Sequence, residues 1–254
     1  MIISKKQTLF IPKPEDALHK AVIQRLLINL LDDREVASKI LFKGGTCAGM
    51  LGWLDRFSLD LDFDLRKKAQ KELLRKKLAK IFQRLGLTIK EEAKETLFYV
   101  LKYQAPKEKR NTLKLSIVED PPKANLYEAF YLPQIDRFAK CQTKETMFAN
   151  KLVAVIERYE KHNAIAGRDI YDIHYFFSQG TRYNKKVVEE RRNLGVKEYL
   201  EQLIGFMKEK ITEKIISQDL NYLLSPERFA QIRKTLKIEV LSFLEDEIGR
   251  LALE

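Results

Sequence analysis

Residues 58–65, Ser-Leu-Asp-Leu-Asp-Phe-Asp-Leu, alternate strictly between polar and apolar side chains. This period predicts a half-buried strand, with Leu59, Leu61, Phe63 and Leu65 in a core and Asp60, Asp62 and Asp64 on the opposite face. Aspartate is a poor strand former. Same-face neighbours along a strand lie only ~6.5 Å apart, so three carboxylates in register repel one another unless a cation joins them. A solvated strand face would be served as well by Lys, Thr or Arg, and the run therefore predicts a metal site. Two such carboxylates can share a pair of magnesium ions ~3.5–4 Å apart, the arrangement of two-metal phosphoryl and nucleotidyl transfer. Magnesium suits them, because it takes one or two carboxylates and leaves substrate phosphates to complete its shell.

A second feature precedes the strand. Gly44-Gly45-Thr46 stands between a short apolar run, Ile40 to Phe42, and a stretch from Cys47 to Leu54 that reads as a short helix. Glycines let backbone approach a phosphate, and a helix N-terminus offers free N–H groups and the positive end of its dipole. Most glycine pairs are plain turns. Followed by Asp-x-Asp on a strand, this one describes a triphosphate held on backbone amides while metal ions bridge it to aspartates.

These residues carry a family resemblance. The sequence from Lys43-Gly44-Gly45-Thr46 to Arg56, Ser58, Asp60 and Asp62 resembles the first motif of the AbiEii/AbiGii-type abortive-infection nucleotidyltransferase toxins, in the polymerase beta-like nucleotidyltransferase superfamily. The resemblance implies that Asp60 and Asp62 hold catalytic magnesium. It also implies that the turn, Gly44, Gly45 and Thr46 with Arg56 and Ser58, binds the NTP. Downstream, Lys151-Leu-Val-Ala and Gly167-Arg-Asp-Ile-Tyr-Asp resemble two further motifs of the same family. They imply that Lys151 contacts nucleotide phosphate and that Asp172, with Asp169, completes the site. Read alone, Asp169 and Asp172 at i and i+3 share a helix face, and Arg168 with Asp169 could be an ordinary surface ion pair. A third metal carboxylate is not evident. Ser116 stands where one is expected on a neighbouring strand, leaving Asp64, Asp172, Glu119 or none.

The remaining pattern is α+β. Residues 13–33 repeat Leu18, Val22, Leu26, Leu27 and Leu30 at helical spacing, and 66–85 form a basic amphipathic helix ending at Gly86. Strand-like runs follow at 87–89, 97–103 and 113–118. Pro121-Pro122 opens a connection to about Thr143, after which helices are expected near 143–160, 167–178, 196–216 and 226–250. Together with the resemblance, this implies a polymerase beta-like nucleotidyltransferase core, a small mixed sheet with helices, over 1–125, and a helical region over 126–254 that supplies Lys151 and Asp172. His174 and the aromatic cluster at Tyr171, Tyr175, Phe176 and Phe177 are expected to pack.

Composition restricts the setting. No apolar stretch reaches the ~20 residues of a membrane span, the N-terminal residues lack a secretory h-region, and Cys47 and Cys141 are isolated, as in reduced cytoplasmic proteins. The net charge of +11 permits a polyanionic partner. The basic helix after the aspartates (Arg66, Lys67, Lys68, Lys71, Arg75, Lys76, Lys77, Lys80, Arg84) is the expected docking face for an RNA acceptor. The resemblance suggests tRNA, and a cognate antitoxin protein. The competing readings are a non-catalytic nucleic-acid- or partner-binding protein on the same fold, and a metal-dependent nuclease. The glycine turn disfavours the nuclease, which has no triphosphate to hold.

Overall fold

The acidic stretch is a strand over only part of its length. In the computed structural model, which describes residues 14–66 and 71–253, β1 is Ile40–Lys43 and β2 is Leu61–Leu65. They pair antiparallel, from Ile40 opposite Leu65 to Lys43 opposite Asp62. The ladder stops there because the chain leaves the sheet at Gly44, whose φ of +78° opens helix α3, Gly44–Met50. Ser58, Leu59 and Asp60, expected within the strand, therefore lie outside it. Without a strand partner, the Asp60 carbonyl accepts from the Thr46 hydroxyl at 2.5 Å.

Helices α1 (Ala17–Asp32), α2 (Arg34–Ala37) and α4 (Lys71–Arg84) accompany the sheet. Its other strands are β3 (Thr88–Glu92), β4 (Leu97–Lys102), β5 (Thr112–Val118), β6 (Tyr127–Leu132) and β7 (Arg137–Gln142). Among the described residues they form one mixed sheet in the order β3-β4-β5-β2-β1-β7-β6. The β2–β5 and β1–β7 pairs are parallel and the others antiparallel. One face is apolar: Leu61, Phe63, Leu97, Tyr99, Leu101, Leu113, Leu115 and Ile117 are all buried. Phe82 of α4 meets Tyr99 edge-on at 5.2 Å, and His19 of α1 bonds to Tyr103 on the same side. The phase of α1 differs from the sequence expectation. Leu18 is exposed, and His19, Ile23, Leu26, Leu27 and Leu30 point inward. A buried histidine is tolerated because both ring nitrogens are hydrogen-bonded.

The segment after Pro121-Pro122 is not a plain connection. β6 and β7 form a hairpin within it and extend the sheet beyond β1. The chain accordingly divides into one unit up to Pro121 together with Tyr127–Gln142, and a second of Pro122–Leu126 with the residues from Thr143 onward. The prolines interrupt the pattern without ending the first unit, because the strands that follow still have an unpaired β1 edge to join.

The second unit is helical: α5 (Lys144–His162), α6 (Gly167–Ser178), α7 (Lys185–Arg192), α8 (Val196–Lys210), α9 (Glu213–Leu220), α10 (Pro226–Ile232) and α11 (Leu236–Leu251). The expected helix 196–216 breaks at Ile211, which is extended, and Thr212 caps the next helix through the Ile215 N–H. α7, Lys-Lys-Val-Val-Glu-Glu-Arg-Arg, has only two apolar residues in eight and gave no periodic signal. Leu152, Val155 and Ile156 of α5 are buried as expected, and Phe148 stacks on Phe176 at 5.0 Å. Among the described residues no helix is long and apolar enough to cross a membrane.

Candidate active site

The glycine turn and Asp62 form one constellation. A Cβ on Gly44 would stand 2.6 Å from the Asp62 carboxylate oxygen Oδ2 and 3.0 Å from its Cβ. The turn can therefore sit under this carboxylate only if it lacks a side chain, and the positive φ independently favours glycine there. A Cβ on Gly45 would lie 2.9 Å from both the Arg56 guanidinium and the Ser58 hydroxyl. Arg56 is buried and donates to the Phe57 carbonyl at 3.0 Å. The structure thus brings together Gly44, Gly45, Thr46, Arg56, Ser58, Asp60 and Asp62. Gly44, Gly45 and Thr46 supply the opening turn of α3, whose first N–H groups have no intrahelical acceptor.

The three aspartates have separate environments. Asp62 is half-buried beside the turn, and Asp60 half-buried just before the strand. Asp64 is fully buried. Lys43 pairs with it at 2.5 Å, the Tyr127 hydroxyl donates to it at 2.6 Å and the Gln142 amide at 2.8 Å. It is a structural anion that ties β1, β2, β6 and β7 together. The three aspartates expected on one face differ in their surroundings, because β6 and β7 bring the donors Tyr127 and Gln142 to Asp64. Neither Tyr127 nor Gln142 carries a sequence signal for this role. On β5, Ser116 stands opposite Asp62 in the register, as expected, and supplies no carboxylate. Glu119 is paired with Lys71 at 2.9 Å.

Among the described residues no three His, Cys, Asp or Glu side chains converge. Asp60 and Asp62, both half-buried near the turn, are hard oxygen donors of the kind a divalent ion there would need. That donor set fits magnesium, which retains water and takes its remaining ligands from substrate phosphate.

Sequence reasoning also missed His19. Its Nε2 lies 2.9 Å from the Leu59 carbonyl, which can only accept, so Nε2 carries the proton and Nδ1 accepts from the Tyr103 hydroxyl at 2.7 Å. Burial lowers the imidazole pKa, outweighing the Leu59 carbonyl that raises it, so the ring is neutral. The backbone that presents Asp60 is thereby fixed from α1.

In the second unit Lys151 lies 2.9 Å from both Asp169 and Asp172. Arg158 reaches the other Asp169 oxygen at 3.1 Å. Asp169 and Asp172 are fully buried, so Asp169 is no surface partner of Arg168. Burial raises the Asp169 carboxyl pKa, but Lys151 and Arg158 outweigh it and hold the group well below the ordinary carboxylate range. His174 packs beside Phe243 and meets Glu239 at 2.6 Å, a packing role as expected.

The basic face of α4 is largely occupied by the fold. Arg75 pairs with Glu92 and donates to the carbonyls of Ala93, Lys94 and Thr96 at 3.0, 2.8 and 2.9 Å. Lys77 pairs with Glu35 at 2.6 Å and Arg84 donates to Asn29 at 2.9 Å. Lys76 and Lys80 are exposed, and Lys67 and Lys68 lie outside the described residues. Cys47 and Cys141 are free and buried, as expected for reduced thiols.

Among solved structures, the chain is similar to JHP933 from Helicobacter pylori, with 21% identity, TM-score 0.53, and coverage of 96% of this chain and 99% of that one. It is also similar to MenT4, a nucleotidyltransferase toxin from Mycobacterium tuberculosis, with 17% identity, TM-score 0.51, and coverage of 93% and 87%. At these identities the likeness establishes the fold. No curated protein matches the chain. The family described as nucleotidyl transferase AbiEii toxin, type IV toxin–antitoxin system, matches residues 25–244 and so takes in both the glycine turn and the Lys151 cluster. The chain belongs to the AbiEii nucleotidyltransferase toxin family and is a nucleotidyltransferase.

Proposed function

We propose that this toxin-type nucleotidyltransferase moves a nucleotidyl group from an NTP to an RNA acceptor, tRNA foremost, in a magnesium-dependent reaction in the cytoplasm, under control of an antitoxin protein. The observation that carries the reading is the seating of Asp62 on Gly44, which joins a glycine turn at a helix N-terminus to a carboxylate. In this reading Asp60 and Asp62 hold the metal, and the N–H groups of Gly44, Gly45 and Thr46 receive the triphosphate. Arg56 and Ser58 brace the turn from below. Lys151 serves the triphosphate, and Asp172 the metal or the acceptor hydroxyl. Asp64 stays a structural anion.

Bound magnesium, one ion or two, would supply charge neutralisation on the triphosphate. The acceptor hydroxyl oxygen forms the new bond to the α-phosphorus, the bond to the bridging oxygen breaks, and pyrophosphate leaves with the hydroxyl proton passed to a neighbouring base. The chain's own work is to hold the donor and acceptor in line and to keep cationic and N–H groups at the leaving phosphates. Incubation with each α-labelled NTP, magnesium and total RNA tests this. Label on RNA, lost with Asp62→Asn, supports it. Unlabelled, shortened RNA would indicate a nuclease, and unchanged RNA and NTP a binding protein.

A further inference from the structure

Besides Lys76 and Lys80 of α4, the fold leaves a group of exposed cations on a different element from the one the sequence singles out. On the apolar side of the sheet, α4 has Lys71, Arg75, Lys77 and Arg84 bonded within the fold. The opposite face of the sheet includes, on the β4–β5 hairpin, Val100 opposite Lys114 and Lys102 opposite Thr112. Lys102 and Lys114 are exposed, in alternation with buried Leu101, Leu113 and Leu115. The tip between the strands carries Lys107, Lys109 and Arg110, all exposed, with Glu108 the one acid among them. Among the described residues, none of these five cations makes a hydrogen bond or an ion pair with a carboxylate.

Their position relative to the carboxylates follows from the register. Asp62 is opposite Ser116 and Leu61 opposite Leu115. Strand partners project to the same side, so Lys114 shares the face of Asp62 and lies one same-side step, ~6.5 Å, from Ser116. That step runs towards the Asp60 end of β2. At the far end of the hairpin, Arg110 and Asp60 are both close enough to act electrostatically on His19. The acid on this face of the hairpin's outer neighbour, Glu91, is opposite Val100 and is drawn to Lys90 at 3.7 Å.

We infer that the β4–β5 hairpin, through Lys114, Lys102 and its tip, is the docking track for the phosphodiester backbone of a single-stranded RNA end. The inference rests on the nucleotidyl-transfer reading above and names where its acceptor is held. Exposed cations with no carboxylate partner retain their full charge for an incoming polyanion, whereas a paired lysine must first give up its partner. The alternation that buries Leu113 and Leu115 makes the track rigid, since its lysine stems stand on a core-anchored strand.

The test compares two charge reversals in the full-length chain, Lys102→Glu/Lys114→Glu and Lys76→Glu/Lys80→Glu. Binding of a fluorescent single-stranded RNA is titrated over a range of salt without NTP, and NTP binding and melting temperature are measured alongside. The hairpin variant should weaken RNA binding by about tenfold or more and reduce the salt slope by about 2, with NTP affinity and melting temperature unchanged. The α4 variant, which keeps the same net charge as the hairpin variant, should lose threefold or less. Equal losses in both variants, or a hairpin variant that binds like wild type, would overturn the inference while the transfer reaction could still stand. RNA bound through the hairpin but never labelled from NTP would support the track and sink the transfer reading. A wild-type chain that binds no RNA at low salt would overturn the track. Pyrophosphate release with a protein acceptor would then preserve the enzyme.

Discussion

Each unit sets a lysine against aspartates, and the two lysines are in different company. Lys43 pairs with one buried carboxylate, Asp64, whose other oxygen is taken by Tyr127 and Gln142. The half-buried Asp62, two residues along, sits on the glycine turn. Lys151 is placed between two fully buried carboxylates, with Arg158 completing the cluster. In the first unit, the carboxylate enclosed by the fold, Asp64, and the one proposed for chemistry, Asp62, are separate residues on one strand. In the second, cation and carboxylates are neutralised together. Proximity of like charges therefore says little about function until it is known which charges the fold has already matched.

Breaking this contrast at Asp62 has the largest expected effect. Asp62→Asn should lower nucleotidyl transfer by at least about 1,000-fold, equivalent to roughly 4 kcal/mol of barrier. Its melting temperature should be unchanged or slightly raised without magnesium. Asp64→Asn should do the reverse, losing stability by a few kcal/mol, about 3, because Lys43 keeps its place beside a neutral group. If Asp64→Asn proves as stable as wild type, or Asp62→Asn retains near-normal turnover in a single-turnover assay, the division of labour is wrong.

Asp169→Ala should destabilise the chain by about 3 kcal/mol. This is the lower end of the range for a broken buried pair, because Arg158 is partly solvated. The sign of its pH dependence is fixed. The folded-state pKa is depressed, so Asp169 contributes fully above its ordinary value of about 3.9 and loses that contribution as pH falls below it. Denaturation midpoints measured from about pH 5 downward should therefore fall less steeply in Asp169→Ala than in wild type. Equal slopes would mean that Asp169 is not the stabilising anion.

Gly44→Ala should cost about 1–3 kcal/mol, from the positive φ and from a Cβ placed against Asp62 Oδ2. Because the strain bears on the carboxylate itself, turnover should fall further than stability does. A variant that loses stability but keeps kcat would reduce Gly44 to a turn residue. The smallest effect concerns Ser116→Asp, which places a carboxylate opposite Asp62 in the register. Without metal it should lower stability by less than about 1 kcal/mol, and magnesium should reverse that loss. A loss that magnesium leaves untouched would argue against a metal beside Asp62.

Period-two alternation, the Gly-Gly-Thr turn and the helical spacing around Lys151 were enough to give an α+β chain, its family motifs and the residues that gather at the turn, because each is written within a few consecutive positions. Apolar faces such as Leu74, Leu78 and Ile81 on α4 were equally legible, since a 3.6-residue period is a local property. What the chain does to those residues afterwards was not. Whether Asp64 is a ligand or a structural anion depends on Tyr127 and Gln142, which arrive from a hairpin more than 60 residues away. The length of β2 depends on where β1 turns out of the sheet, and the fate of the α4 cations on carbonyls and carboxylates presented by β3 and its neighbouring turn. Sequence determined which groups could be charged and which faces must be buried. Tertiary structure alone decided which charges were matched, because pairing is set by distances of a few ångströms between residues that sequence order leaves far apart.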